Sequence, residues 1–140
     1  MIALDSSVIV AALLSWHESH PAASRAVERA MAASVVIPAH ALFESYAVIT
    51  RLPAPYRLAP SDALTLLRGN FAKTRIAAIH SRNVWPLLEE IASDGLGGGV
   101  TYDAIIYKTA AEAGATELLT LNERDYERFA ARVAIRTPRR

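Results

Sequence analysis

Four carboxylates and one carboxamide stand at places in this chain from which they could reach one another. Asp5 ends the apolar run MIAL, and Glu44 lies in ALFESYAVI. Asp103 falls in the opening turn of a helical stretch that runs to Gly114, and Asn122 and Asp125 follow the apolar run Glu117 to Leu121. Each has an ordinary reading. Asp5 and Asp103 could cap or favour helix amino termini, and Asp125 could be an exposed acid in a turn. Glu44 is harder to set aside, because apolar residues flank it over most of a helix circumference. A carboxylate desolvated there costs roughly several kcal/mol unless a cation or donors answer it. Clustered carboxylates without histidine or cysteine ligands select hard divalent cations, Mg²⁺ or Mn²⁺. Such ions bind phosphates, generate a hydroxide nucleophile and neutralise a leaving oxygen, which is the chemistry of phosphodiester hydrolysis.

The elements that must position these residues alternate along the chain. Apolar strands are predicted at 1–4, 34–37, 75–80, 117–121 and 132–135. Helices are predicted at 6–14, 21–33, 39–52, from Ser61 and Asp62 to Phe71, and at 83–93. A further helix takes Thr101 as its N-cap and Gly114 as its stop, with Ala104, Ile105, Tyr107, Ala111 and Ala113 on its apolar face. The fold class is therefore α/β with a mainly parallel sheet, in which ligands bind beyond the carboxyl ends of the strands. No repeat, low-complexity segment or linker divides the 140 residues, so a single domain is expected. Gly97 to Gly99 lack the spacing of a dinucleotide loop and suggest a mobile loop beside the site.

Composition narrows the function classes. The absence of cysteine excludes disulfides and thiolate metal sites and fits a reducing compartment. Asp5 interrupts the amino terminus, and the apolar run after it is too short to span a bilayer, so a cytoplasmic protein without a signal peptide is expected. The net charge of +1 is uneven: residues 51–82 carry six basic side chains against Asp62 alone, while the segments on either side are net acidic. A basic middle beside an acidic site suits an enzyme that acts on a polyanion. His17 and His20 read as one face of a solvated helix end rather than as metal ligands, and Trp16 and Trp85 read as core or interface residues.

Four motifs occur in order: IALDSSV at the amino terminus, the pair Phe43–Glu44, YDA at Tyr102 to Ala104, and LLTLNERDYERF near the end. Together they resemble PIN-domain ribonucleases, most closely the VapC-type toxins of bacterial toxin–antitoxin pairs, over essentially the whole chain. The resemblance implies a PIN-like three-layer sandwich and a metal-dependent endoribonuclease that leaves a 5′-phosphate and a 3′-hydroxyl. It implies Asp5, Glu44 and Asp103 as ligands of Mg²⁺ or Mn²⁺, with Asp125 beside them in the catalytic set. Ser7 and Thr120 take the supporting hydroxyl positions. The fourth acidic position falls at Asn122, where many members have Asp, and this departure bears on a second metal ion. Arg51, Arg68, Lys73 and Arg75 are expected to hold flanking RNA phosphates, and Lys108 to pair with an acid or a phosphate. A VapB-type antitoxin is the implied protein partner. A homodimer formed through the apolar face of the second or third helix is also implied. Replacing Asp5 or Asp103 by Asn is expected to abolish cleavage and leave the fold intact. The alternative is a catalytically inactive PIN-like module that binds RNA or protein. A phosphatase with Asp5 as nucleophile needs a second acid at position 7, where Ser7 stands.

Overall fold

The computed structural model describes residues 1–129 and 132–139. Five strands, β1 (Ile2–Leu4), β2 (Val35–Pro38), β3 (Arg75–Ala77), β4 (Glu117–Leu119) and β5 (Ala134–Arg136), form one sheet in the order β3-β2-β1-β4-β5. Every pairing is parallel. Consecutive residues Ala3 and Leu4, Val36 and Ile37, and Leu118 and Leu119 are all buried, so the three middle strands are covered on both faces. The covering helices are α1 (Ser6–Leu13), α2 (His20–Ala33), α3 (Ala39–Arg51), α4 (Pro60–Phe71), α5 (Val84–Ser93), α6 (Val100–Glu112) and the single turn α7 (Glu123–Tyr126). The expected α/β sandwich is present.

Several boundaries differ from the sequence reading. Strand β3 stops at Ala77 rather than His80, because its partner β2 ends at Pro38, which faces Ala77 and has no N–H to continue a ladder. Strand β4 ends at Leu119, level with the end of β1, and β5 begins at Ala134 rather than at residue 132. The polar turn expected after β4 is helical, first as α7 and then as a 3-10 turn at Glu127–Phe129. Helix α4 begins at Pro60, whose fixed φ suits the first helical position, rather than at Ser61 and Asp62.

Helix α6 begins at Val100, with Gly99 in the cap position, so Thr101 lies inside the helix instead of capping it. Its buried residues are Ala104, Ile106, Thr109 and Ala110, while Ile105, Tyr107, Ala111 and Ala113 are half-buried. Two neighbours explain the shift. Ile106 and Ala110 enter the main core, whereas Ala104 and Ile105 turn to Leu87 and Ile91 of α5. Gly114 ends α6 as expected, at φ +84°, a conformation that other residues adopt only with strain.

Neither tryptophan is in the core. Trp85 is 73% exposed, and Trp16 is exposed against Tyr56, with ring centroids 4.5 Å apart. The two histidines do not share a helix face: His17 lies between α1 and α2 and accepts from the Ser19 N–H on Nδ1 at 3.0 Å. His20 opens α2 and donates from Nδ1 to the Ala11 carbonyl at 2.9 Å.

Candidate active site

The carboxyl ends of β1, β2 and β4 deliver the site. Asp5 follows β1 directly and is only 3% exposed. It caps α1 and serves the cluster at once, since Oδ1 accepts from the Ser6 backbone N–H at 2.8 Å and from the Tyr126 hydroxyl at 2.9 Å. Oδ2 accepts from the Ser7 hydroxyl at 2.8 Å and from the Thr120 hydroxyl at 2.7 Å. Both hydroxyls are themselves held: Ser7 Oγ accepts from the Leu121 N–H at 2.9 Å, and Thr120 Oγ1 from the Asn122 N–H at 3.0 Å. These bonds tie the end of β4 to the end of β1 through one carboxylate.

Glu44 comes from α3, the helix that leaves β2. It is not desolvated as expected, because its side chain is 30% exposed and its neighbour Phe43 points outward, 75% exposed. One oxygen has a donor and the other a nearby imidazole. The Ser6 hydroxyl donates to Oε1 at 2.7 Å, and His40 Nε2 lies 3.4 Å from Oε2. The His40 ring stacks on Tyr102, with centroids 4.9 Å apart and planes within 8°. That contact joins the first turn of α3 to the first turn of α6, beside Asp103. Asn122, Ser6, Ser7, His17, Glu18 and Glu44 border a crevice of about 530 Å³.

Asp103 senses the other acids. Burial first, and then the charges of Asp125, Asp5 and Glu44, raise its pKa from 3.8 to about 6, while the nearby Tyr126 hydroxyl offsets part of the rise. The charges of Asp5, Glu44 and Asp125 thus all reach Asp103. Tyr126 is driven far above the ordinary range of a phenol by burial and then by Asp5 and Asp103, so it stays a neutral donor. Ser7 and Thr120 both donate their hydroxyls to Asp5 Oδ2.

The donor set is almost entirely oxygen and carries mutually repelling negative charge, which suits a hard divalent cation in kind. Among the described residues, however, no three His, Cys, Asp or Glu side chains are grouped so as to ligate one ion as they stand. Asp5 already accepts from the Ser6 N–H and from the Ser7, Thr120 and Tyr126 hydroxyls.

The basic residues fare differently. Arg75 opens β3 at the opposite edge of the sheet, where Nη1 lies 3.5 Å from the Ala113 carbonyl and 3.6 Å from Met1 Sδ, and Lys73 precedes it. Neither reaches the crevice. Arg51 ends α3, about two turns beyond Glu44, and Arg68 borders an apolar groove between α3 and α4. Lys108 makes no ion pair among the described residues; it lines a pocket with Glu90, Asp94 and Arg128. Tyr107 instead accepts the Arg132 and Val133 N–H groups on its hydroxyl.

Sequence reasoning missed Ser6, Glu18, His40 and Tyr126. The i,i+4 spacing of His40 and Glu44 was a readable signal. For Tyr126 there was none, because its partner lies 121 residues away.

Comparison with known proteins places this geometry. The PIN domain profile matches residues 2–132. Ribonuclease VapC40 of Mycobacterium tuberculosis is 40% identical over 140 residues, spanning 98% of this chain and all of its own length. Two crystal structures share the fold. One is Mycobacterium tuberculosis VapC20, a sarcin–ricin loop cleaving toxin, with TM-score 0.69 and 17% identity, covering 96% of this chain and 99% of that one. The other is VapBC2 of Rickettsia felis bound to a fragment of its promoter DNA, with TM-score 0.70 and 18% identity, covering 98% of both chains. By profile match, by identity to a full-length relative and by topology, this chain belongs to the PIN domain family, among the VapC ribonucleases.

Proposed function

We propose that the protein is a metal-dependent endoribonuclease toxin that hydrolyses RNA phosphodiester bonds and is neutralised by a cognate antitoxin. One observation carries the reading: burial of Asp103, and then the charges of Asp125, Asp5 and Glu44 from separate elements, raise its pKa to about 6. Repulsion of that kind is relieved by a cation, and the relatives are ribonucleases. Asp5, Glu44 and Asp103 are the residues that would hold Mg²⁺ or Mn²⁺, with Asp125 beside them. When bound, such an ion supplies an activated water and counter-charge for a phosphate.

The chain's own residues prepare the rest. Ser7 and Thr120 orient Asp5, Ser6 bridges towards Glu44, and His40 holds the second oxygen of Glu44. Tyr102, exposed at the rim and backed by His40, offers a ring face on which an RNA base can stack. The products are a 5′-phosphate and a 3′-hydroxyl.

The protein partner is a VapB-type antitoxin, by analogy with the VapBC pair of the Rickettsia felis neighbour. Its seat is the apolar groove of about 770 Å³ between α3 and α4, where Phe43, Tyr46, Leu64 and Ile76 lie exposed. A homodimer through the second or third helix is also expected; α2 leaves Met31, Ala32 and Ala33 exposed, whereas the exposed apolar residues of α3, Phe43 and Tyr46, line the groove. No helix among the described residues is long and apolar enough to cross a membrane, and we place the toxin in the cytoplasm with its RNA substrate.

A second reading, a catalytically inactive PIN-like binding module, draws on Asn122 and on the protein donors that Asp5 already has. Cleavage of total RNA with and without Mg²⁺ or Mn²⁺, with the cut ends mapped, separates the two. The enzyme cuts only with metal and loses cutting in Asp103→Asn. A pure, folded chain that cuts nothing at any metal concentration is the binding module.

A further inference from the structure

The crevice that borders Glu44 and Asn122 does not stop at Glu18. A second hollow of about 380 Å³ adjoins it, and Glu18, Ser19 and Leu121 line both. Its other walls are Pro21, Ala22 and Arg25 of α2, with Thr137 and Pro138 just after β5. Strands β4 and β5 end level with each other, so this hollow opens at the same carboxyl edge of the sheet as Asp5 and Thr120. Among the described residues, Arg25 is the one arginine or lysine that lines either space. It is exposed and makes no ion pair among those residues, with Glu18 or any other acid. We propose that Arg25 binds a backbone phosphate of single-stranded RNA that leaves the acidic crevice across Ser19 and Leu121. The inference rests on the ribonuclease reading above for the presence of RNA in the crevice.

The chemistry of the walls favours that route. A guanidinium meets two phosphate oxygens with parallel N–H bonds, and one that has no carboxylate partner breaks no ion pair when phosphate arrives. Ser19 stands on the wall the two spaces share, and its hydroxyl makes no capping bond to α2. Asn122 bears on the same path. It is exposed on the crevice wall beside Leu121, where a carboxylate would repel the strand and a carboxamide can donate to it. Glu18 is the one acid on the shared wall; it is exposed, so water and salt screen its charge. By contrast, Arg51, Arg68, Lys73 and Arg75 line neither space. A phosphate contact carries no base information, so Arg25 contributes affinity and register rather than sequence preference.

The test uses the full chain and a fluorescein-labelled single-stranded RNA of mixed sequence. Anisotropy is read in EDTA, so that binding is measured apart from cutting. Arg25→Ala should weaken binding roughly tenfold at unchanged Tm, the scale of one charge-assisted contact. The slope of log affinity against log salt should become shallower by about 0.7, the share of one phosphate on a single strand. Arg25→Lys keeps the charge and should keep the slope, with part of the affinity. Arg29→Ala is the control, since Arg29 lies one turn further along α2, exposed, and lines neither space; it should bind RNA within about twofold of the parent. Parental affinity and slope in Arg25→Ala, or an equal loss in Arg29→Ala, overturns the inference. RNA bound through Arg25 but left uncut when Mn²⁺ is added removes the cleavage reading and leaves the phosphate site in place.

Discussion

Asp5 and Asp103 carry the same side chain and feel each other's charge, yet their surroundings treat that charge in opposite ways. Asp5 is buried among four good donors, so Asp5→Asn turns an amide N–H₂ towards groups that also donate. That substitution should cost about 2–4 kcal/mol in urea unfolding, contrary to the expectation that the fold is indifferent to it. Asp103 is half-buried, and then repelled by its acidic neighbours. Its carboxyl titrates near 6 in the folded chain against 3.8 ordinarily, so the folded state holds the proton more tightly than the unfolded state does. Its contribution is intact below 3.8 and is lost as pH rises through about 6. In the absence of metal, Asp103→Asn should therefore stabilise the protein by about 1–2 kcal/mol at pH 8, a figure already reduced for solvent screening of a half-buried group, and by almost nothing at pH 3. Unfolding curves at the two pH values check it; an equal effect at both would show that the folded chain does not penalise the charge on Asp103.

At the scale of elements, two contacts hold the site's walls in register. Thr120 follows β4 and Asp5 follows β1, and the bond between them needs a hydroxyl that donates and accepts together. Thr120→Val keeps the shape and strands both partners. It should cost about 2–3 kcal/mol and lower kcat, and a melt beside a single-turnover assay would show both effects. The His40–Tyr102 stack joins α3 to α6 and leaves Tyr102 open to solvent. Tyr102→Ala should raise KM roughly tenfold with kcat nearly unchanged, and Tyr102→Phe should restore it, because base stacking uses the ring and not the hydroxyl. A fall in kcat at constant KM would assign Tyr102 to positioning Asp103 instead.

The whole molecule sorts charge between the two edges of its sheet. The acids gather at the carboxyl edge, while Lys73 and Arg75 stand at the amino edge beside Met1 and Ala113. Alanine at both positions together should therefore leave cleavage of a short RNA within about twofold, since long-range attraction across a sheet is largely screened at physiological salt. A loss of an order of magnitude would show that RNA wraps to the far edge. The exposed apolar groove between α3 and α4 shares no lining residue with the crevice, so Leu64→Glu should spare cleavage and weaken inhibition by the antitoxin. Inhibition assays with the purified partner decide that.

By itself the sequence determined what local chemistry controls. Alternating apolar runs and helical periods specified the α/β class, Gly114 marked its turn, and the acids at 5, 44, 103 and 125 were legible because each sits at the end of a strand or in the first turns of a helix. Only the tertiary structure decided which donors meet which acids. Tyr126 lies in a polar stretch that reads as a turn, and its hydroxyl acquires a role only when β4 pairs beside β1 and carries α7 over Asp5. The misplaced basic residues have the same origin: a charge counted along the chain carries no record of the sheet edge on which it ends, because strand order is set by long-range pairing.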